Sequence, residues 1–183
     1  MPTPTTNLSP AESVRRMAQA RRALREEFDR AVVGQAEVLE HLLIAVFAKG
    51  HCLLEGRPGT GKAWAARVLA KLLHLEFSHI HGHPELAAND VIGGMKPRVD
   101  RLTGEQTSRF ERGPLFANLV LVDEFNRIPH RVQSTLVEPL NDHLVRVGGD
   151  RFELPKPFLL LATKNFEERQ RTFALTDAMS DRF

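Results

Sequence analysis

Eight residues constrain this chain more than any others: Gly56-Arg57-Pro58-Gly59-Thr60-Gly61-Lys62-Ala63. They follow a short apolar run, Cys52-Leu53-Leu54, and open a helix-forming run over residues 64–73. A strand, a glycine loop and a helix in that order make a cradle for phosphate. The loop amides converge on one anion, and the amino end of the helix adds its partial positive charge. Glycine is needed there because a side chain would block the approach of backbone to phosphate. Lys62 supplies a movable ammonium for the outer phosphates. The pattern is G-x-x-x-x-G-K-[ST] with one departure: Ala63 stands where a hydroxyl would hold Mg²⁺. A glycine turn that binds nothing is the competing reading, and the flanking strand and helix argue against it.

The remaining chain reads as strands alternating with helices. Residues 1–8 are a Pro/Thr tail expected to be disordered. Ser9-Pro10-Ala11-Glu12 starts a helix over residues 9–30: Ser9 caps, Pro10 takes the first helical position, and Glu12 closes a capping box. Val14, Met17, Leu24 and Phe28 keep a helical stripe. Arg15, Arg16, Arg21, Arg22 and Arg25 make another face basic, read as a solvated face offset by Glu26, Glu27 and Asp29. Val32-Val33-Gly34-Gln35 breaks this helix. A second follows over residues 36–49, with Val38, Leu42 and Val46 inward and Leu39 beside them. Strands are predicted over 51–55 and 76–80, and a hairpin or irregular insertion over 95–112, ending at Gly113-Pro114. Leu119-Val120-Leu121-Val122 has the continuous apolar character of a strand buried on both faces, and it ends in Asp123-Glu124. A helix over 130–142 carries Val132, Leu136, Val137 and Leu140. A hairpin over 145–154 turns at Gly148-Gly149, and a buried strand over 158–162 ends at Thr163-Lys164-Asn165. A short helix is predicted over 176–183. No internal repeat is visible.

Such alternation predicts an α/β fold with a parallel sheet and right-handed crossovers, whose ligands sit at the carboxyl ends of the strands. The cradle, Asp123-Glu124 and Asn165 all fall just after strand ends, so they can meet on one rim despite their separation in sequence. Asp123, held at a strand tip, can bind Mg²⁺ directly or through water. Glu124 is expected to point elsewhere because strand side chains alternate, which frees it to polarise an attacking water. Asn165, a neutral donor and acceptor, suits orienting that water near a terminal phosphate. Phosphoryl transfer needs positioning and charge neutralisation, and these groups supply both. His79, His81 and His83 alternate and could share a face toward a metal. No cysteine or fourth ligand accompanies them, so hydrogen-bonded histidines at a strand end are the preferred reading.

Composition narrows the class. A chain of 183 residues with 42% hydrophobic residues suits one α/β domain with a real core. Its net charge of +2 is too small to imply nucleic-acid binding by itself. Cys52 is the single cysteine, so no disulfide can form within the chain, which fits a reducing, cytoplasmic setting. The longest apolar run, residues 42–48, is far too short to span a membrane, and the N-terminus lacks the features of a signal peptide.

An ordered set of motifs resembles the MoxR family of AAA+ ATPases, in the group with a helix-two insert. It comprises Val32-Val33-Gly34-Gln35, the glycine loop through Lys62, Asp90-Val91-Ile92-Gly93, Gly113-Pro114-Leu115-Phe116-Ala117-Asn118, Asp123-Glu124-Phe125-Asn126-Arg127, Leu161-Ala162-Thr163-Lys164-Asn165 and Asp181-Arg182-Phe183. The resemblance implies a three-layer αβα P-loop NTPase core of strand order 5-1-4-3-2, comprising residues 31–183. It implies rings, commonly hexamers, with ATP and Mg²⁺ at subunit boundaries. By the same resemblance Val33 and Gly34 lie near the adenine, Glu124 is the general base, Asn165 the first sensor, and Arg182 the finger reaching a neighbour's site. A fixed guanidinium suits that last role. Arg127 is expected to face the next subunit. Family members act as chaperone-like remodelling ATPases on protein clients, often with partners carrying von Willebrand factor A domains.

Three departures qualify the match. Ala63 lacks the hydroxyl ligand, and water is expected to replace it. Phe166 follows Asn165 where the family has Pro. The chain stops at Phe183, before the family's fifth strand and helical lid, so a truncated core is expected, with strand one an open edge although Cys52-Leu53-Leu54 reads as central. Two other functions remain in view. One is a nucleotide-binding regulatory module with little hydrolysis, favoured by Ala63 and by the expected absence of the lid. The other is a nucleic-acid motor, supported only by the basic face from Arg15 to Arg25.

Overall fold

The computed structural model describes residues 9–99, 104, 106–165 and 172–183. The expected tail over 1–8 and the Phe166 departure lie outside these residues. In chain order the elements are α1 (Pro10–Ala31), α2 (Ala36–Ala48), β1 (Cys52–Glu55), α3 (Lys62–Leu72), β2 (Phe77–His81), α4 (Ala88–Ile92), β3 (Gly93–Val99), β4 (Gln106–Arg112), β5 (Leu119–Asp123), α5 (His130–Asp142), β6 (Leu144–Val147), β7 (Asp150–Glu153), β8 (Leu159–Lys164) and α6 (Asp177–Ser180). A 3-10 turn, Phe125–Arg127, joins β5 toward α5.

Four strands form one parallel sheet in the order β1-β8-β5-β2. Its two central strands carry unbroken apolar runs, Leu119–Val122 and Leu159–Ala162, because each has two faces to cover. Leu119 and Leu121 of β5 and Leu159 and Leu161 of β8 face a core with Phe28, Leu39, Leu42, Ala65, Ala66 and Leu69 of α1, α2 and α3. Their alternates, Val120, Val122, Leu160 and Ala162, face the opposite core with Val132, Leu136 and Leu140 of α5. The period-2 alternation of strand side chains thus sorts one apolar run into two cores, giving the three αβα layers. The order matches the expected 1-4-3-2 portion of the family sheet. Among the described residues nothing pairs with the outer side of β1, so the half-buried Cys52-Leu53-Leu54 run is the open edge expected.

The helix start at Ser9 has both halves of its capping box: Ser9 N–H donates to Glu12 at 2.9 Å and Glu12 N–H to the Ser9 hydroxyl at 3.3 Å. The apolar stripe of α1 differs from its expected course. Val14 and Met17 are exposed, and only Leu24 and Phe28 reach the core. Farther along the helix the Arg21 guanidinium meets Glu40 of α2 at 2.7 Å. On α2 the buried face is Leu39, Leu42, Leu43 and Ala45; Val38 and Val46 are half-buried flanks.

Two hairpins stand off the sheet. β3 and β4 pair antiparallel from Gly93↔Arg112 to Val99↔Gln106, so the region read as a hairpin or irregular insertion is a hairpin. β6 and β7 pair around Gly148-Gly149 as expected. No described helix is long and apolar enough to cross a membrane.

Candidate active site

β1 ends at Glu55, and the glycine loop starts there. Gly56 N–H donates to the Lys164 carbonyl at 3.1 Å, which fixes the loop's entrance to the end of β8. Gly59 and Gly61 have φ of 76° and 83°, a left-handed conformation that side chains with a Cβ rarely adopt. These two reversals turn the chain back to begin α3 at Lys62. The Lys62 ammonium lies inside the loop, donating to the carbonyls of Gly56 at 3.0 Å and Arg57 at 2.7 Å and to the Thr60 hydroxyl at 3.3 Å.

Facing the loop are the tips of β5 and β8. A cavity of about 310 Å³ is lined by Pro58, Gly59, Thr60, Gly61, Lys62, Ala63 and Trp64 from the loop side, and by Asp123, Glu124, Thr163, Lys164 and Asn165 from the strand tips. The rim read from the sequence is therefore a single cleft. A groove of about 880 Å³ between the two hairpins is larger, but it lacks the glycine loop and the paired carboxylates that phosphate chemistry calls for.

Asp123 ends β5, and one of its carboxylate oxygens accepts a hydrogen bond from the Thr163 hydroxyl. That hydroxyl in turn accepts from Glu124 N–H at 3.0 Å. Thr163 is buried and fastens both acidic residues to β8. Glu124 diverges from Asp123, but not by strand alternation. It lies beyond the strand, in a left-handed conformation with φ of 55°, and begins the 3-10 turn. Its carboxylate accepts from Arg127 Nη1 at 2.7 Å. His79 and His81 on β2 complete this side, their Nε2 atoms 3.8 Å from Asp123 and 3.4 Å from Glu124. Arg127 thus meets Glu124 within the same chain. Among the described residues no cluster of three His, Cys, Asp or Glu side chains forms a metal site.

Several contributors were not singled out in the sequence. Thr163 is set by strand register: Val122 pairs with Ala162, so the next pair is Asp123 with Thr163. Gly82 follows β2 where a Cβ would run into the Glu124 carbonyl oxygen; only the absence of a side chain lets the β2 and β5 tips abut. Gln35 donates its side-chain amide to the Thr60 carbonyl, tying the α1–α2 linker to the loop. That linker also carries Val33, which is 91% exposed, and Gly34. Val33, Gly34, Gly56 and Arg57 are not among the residues lining the cavity, although Gly56 and Arg57 present their carbonyls to Lys62. Arg182 is exposed just after α6 and is not among the residues lining this cleft; the neighbouring Phe183 ring packs on Phe125 at 5.8 Å.

The donor set suits Mg²⁺. It offers a carboxylate oxygen of Asp123 and no thiolate, which is the choice of a hard cation. Asp123 would hold the ion, and Ala63 contributes no oxygen. Held there, Mg²⁺ would neutralise charge on phosphate oxygens.

Comparison with known proteins agrees with this geometry. Residues 51–183 match the family model of the ATPase family associated with various cellular activities (AAA). The chain is 40% identical over 157 residues to "Chaperone MoxR1" of Mycobacterium tuberculosis, covering 86% of this chain and 41% of that protein. It is 38% identical over 160 residues to the protein YeaC of Bacillus subtilis, covering 86% of this chain and 48% of that one. The chain thus spans less than half the length of these two relatives. A crystal structure of a protein from Cytophaga hutchinsonii, provisionally described as an ATPase, superposes with a TM-score of 0.74 at 34% identity, over 93% of this chain and 53% of the other. Fold, cleft and relatives agree, and the chain belongs to the ATPase family associated with various cellular activities (AAA), with MoxR proteins among its relatives.

Proposed function

We propose that this chain is the ATP-binding core of a MoxR-like remodelling machine that hydrolyses ATP to ADP and phosphate. The observation that carries the reading is one cleft holding the Lys62 ammonium, two left-handed glycines at the start of α3, and the Asp123 and Glu124 carboxylates. The loop amides and Lys62 grip the polyphosphate, the ammonium exchanging loop carbonyls for phosphate oxygens. Asp123 holds Mg²⁺, with Thr163 fixing its carboxylate. Glu124 takes the proton of the attacking water, and Asn165 orients that water. Val33 and Gly34 border the adenine.

The assembly is read as a ring of like subunits, a hexamer by family analogy, in which Arg182 reaches the neighbour's phosphates. Its client is a protein, with a von Willebrand factor A domain partner as the favoured class, and its setting is cytoplasmic. Phosphate release from ATP by the full-length protein tests the reading: turnover that disappears in Glu124→Gln while ATP still binds supports it. Absence of calorimetric heat with ATP or ADP, with or without magnesium, sinks it.

A regulatory nucleotide-binding module is the second reading. Ala63 and the 2.7 Å pair between Arg127 and Glu124, which engages the base, both favour it. Tight ATP binding with no phosphate release from the assembled full-length protein would select it.

A further inference from the structure

We propose that Gln133 is a positioning residue for Arg182, setting where that guanidinium stands toward a neighbouring subunit; the inference rests on the reading of Arg182 as a residue that acts in trans. Gln133 is wholly buried on α5, in the core that also holds Val132 and Leu136. A buried side-chain amide is costly unless its groups are paired. Nε2 donates to the Ile128 carbonyl at 3.0 Å and to the Ala174 carbonyl at 3.3 Å, and Oε1 accepts from Thr176 N–H at 3.2 Å. Carbonyls accept and the backbone N–H donates, so these partners fix which way the amide of Gln133 faces. An apolar side chain of this size would fill the same space and let the two segments slide past each other. Three directional bonds specify one position.

The segments joined are the turn after Glu124 and the arm that carries Arg182. Ile128 closes the 3-10 turn that Glu124 begins. Thr176 is the N-cap of α6, a helix of four residues, and Arg182 follows just beyond its end. Fixing the start of so short a helix fixes the approach of Arg182. Further ties run the same way. Phe173 N–H donates to the Asn126 carbonyl at 2.6 Å, His130 Nε2 meets the Ala174 carbonyl at 3.0 Å, and the Phe183 ring packs on Phe125. All of them land on residues 125–133, the stretch that leads directly out of Glu124. Among these contacts Gln133 is the one side chain hydrogen-bonded to both turn and arm. Arg182 is thus placed relative to the carboxylate of its own subunit, although the phosphates it serves belong to another. A displacement of about 1 Å at such a group costs on the order of a hundredfold in rate.

Mixed assemblies of the full-length protein test this, because a defect in trans and a defect in the subunit's own cleft complement differently. Glu124→Gln lacks the proposed base and keeps Arg182; Arg182→Ala keeps the base. Mixed together, they are expected to regain phosphate release on the order of tenfold above either alone. Gln133→Met by itself is expected to lose on the order of a hundredfold in turnover, with ATP affinity unchanged in calorimetry. Mixed with Glu124→Gln it should recover as Arg182→Ala does, and mixed with Arg182→Ala it should not. Thr176→Pro probes the same tie with Gln133 retained: the φ of −68° at Thr176 suits proline, and the substitution removes the N–H that bonds Oε1. It should give the same pattern with a smaller loss, and it decides the matter if Gln133→Met does not assemble. Wild-type turnover in both variants overturns the proposal. Recovery with Arg182→Ala overturns it too, since the damage then lies in the subunit's own cleft, and recovery with neither partner reduces Gln133 to core packing. Failure of Glu124→Gln and Arg182→Ala to complement each other sinks the trans reading of Arg182 itself, and the role of Gln133 with it.

Discussion

The two ends of β1 lie only a few residues apart and handle polar groups differently. At the amino end, His51 is buried and both ring nitrogens have backbone partners: Nε2–H donates to the Leu140 carbonyl at 3.0 Å, and Nδ1 accepts from Leu160 N–H at 3.1 Å. A carbonyl can only accept and an amide can only donate, so these partners fix one neutral tautomer. Phe158 closes the site, its ring 5.6 Å from that of His51. At the carboxyl end, Lys62 is also hydrogen-bonded, but its partners are carbonyls and a hydroxyl of its own loop, in an open cleft. A structural polar site saturates its capacity with groups that cannot leave. A binding site parks its charge on partners that a ligand can replace.

The sharpest way to break that comparison is at the carboxyl rim. Glu124→Gln keeps the shape and removes the proposed base. Phosphate release is expected to fall on the order of 10²–10⁴-fold, with ATP affinity nearly unchanged in calorimetry. Lys62→Ala removes the parked charge. ATP affinity is expected to drop on the order of a hundredfold, equivalent to about 2–3 kcal/mol, while the thermal midpoint stays put because no core group loses a partner.

The amino end should respond the other way. His51→Asn strips the buried Leu140 carbonyl and Leu160 amide of their partner, and a loss of about 2 kcal/mol of stability is expected in urea melts. The nucleotide affinity of the folded fraction should not change. Ala63→Thr sharpens the rim instead: restoring a hydroxyl near Asp123 should raise magnesium-dependent turnover about tenfold, or about 1.4 kcal/mol of barrier. An unchanged rate in a competent assembly would refute the role given to Ala63.

The smallest effect is one of pH. Burial, the dominant cause, holds His51 below its ordinary pKa of 6.5; the Leu140 hydrogen bond opposes this, and nearby His143 adds to it. The unfolded chain then takes up a proton near pH 6.5 that the folded chain refuses. Stability from this group is therefore full above pH 6.5 and declines as pH falls toward the depressed folded value. The decline is bounded by about 1.4 kcal/mol for each pH unit in that window. Urea melts between pH 7.5 and 5.5 should show it in wild type and show less of it in His51→Asn.

Much of the fold was legible because its signals are local. The apolar runs at Leu119-Val120-Leu121-Val122 and Leu159-Leu160-Leu161-Ala162 announce strands with two covered faces, and both cores are built on them. The glycine loop announces its turn through residues that tolerate a left-handed backbone. Other features were hidden because they depend on what lies across space. The stripe through Val14 and Met17 has helical spacing, but spacing cannot say where the neighbouring helices end. In the site, Thr163 and Gly82 act through partners about forty residues away, so no local pattern names them.

The sequence by itself determined that a strand, a glycine loop and a lysine-headed helix occur in that order, and that acidic and amide residues follow two other buried strands. Those outcomes rest on backbone sterics and on the period of apolar residues, which neighbours in sequence carry. Tertiary structure alone decided how the carboxylates are held, since the Thr163 clamp, the Arg127 and His81 contacts and the turn at Glu124 require β2, β5 and β8 side by side. Hydrogen bonds reach only about 3 Å. Which groups come within that reach is fixed by strand order and register, and the chain acquires those only when the whole sheet forms.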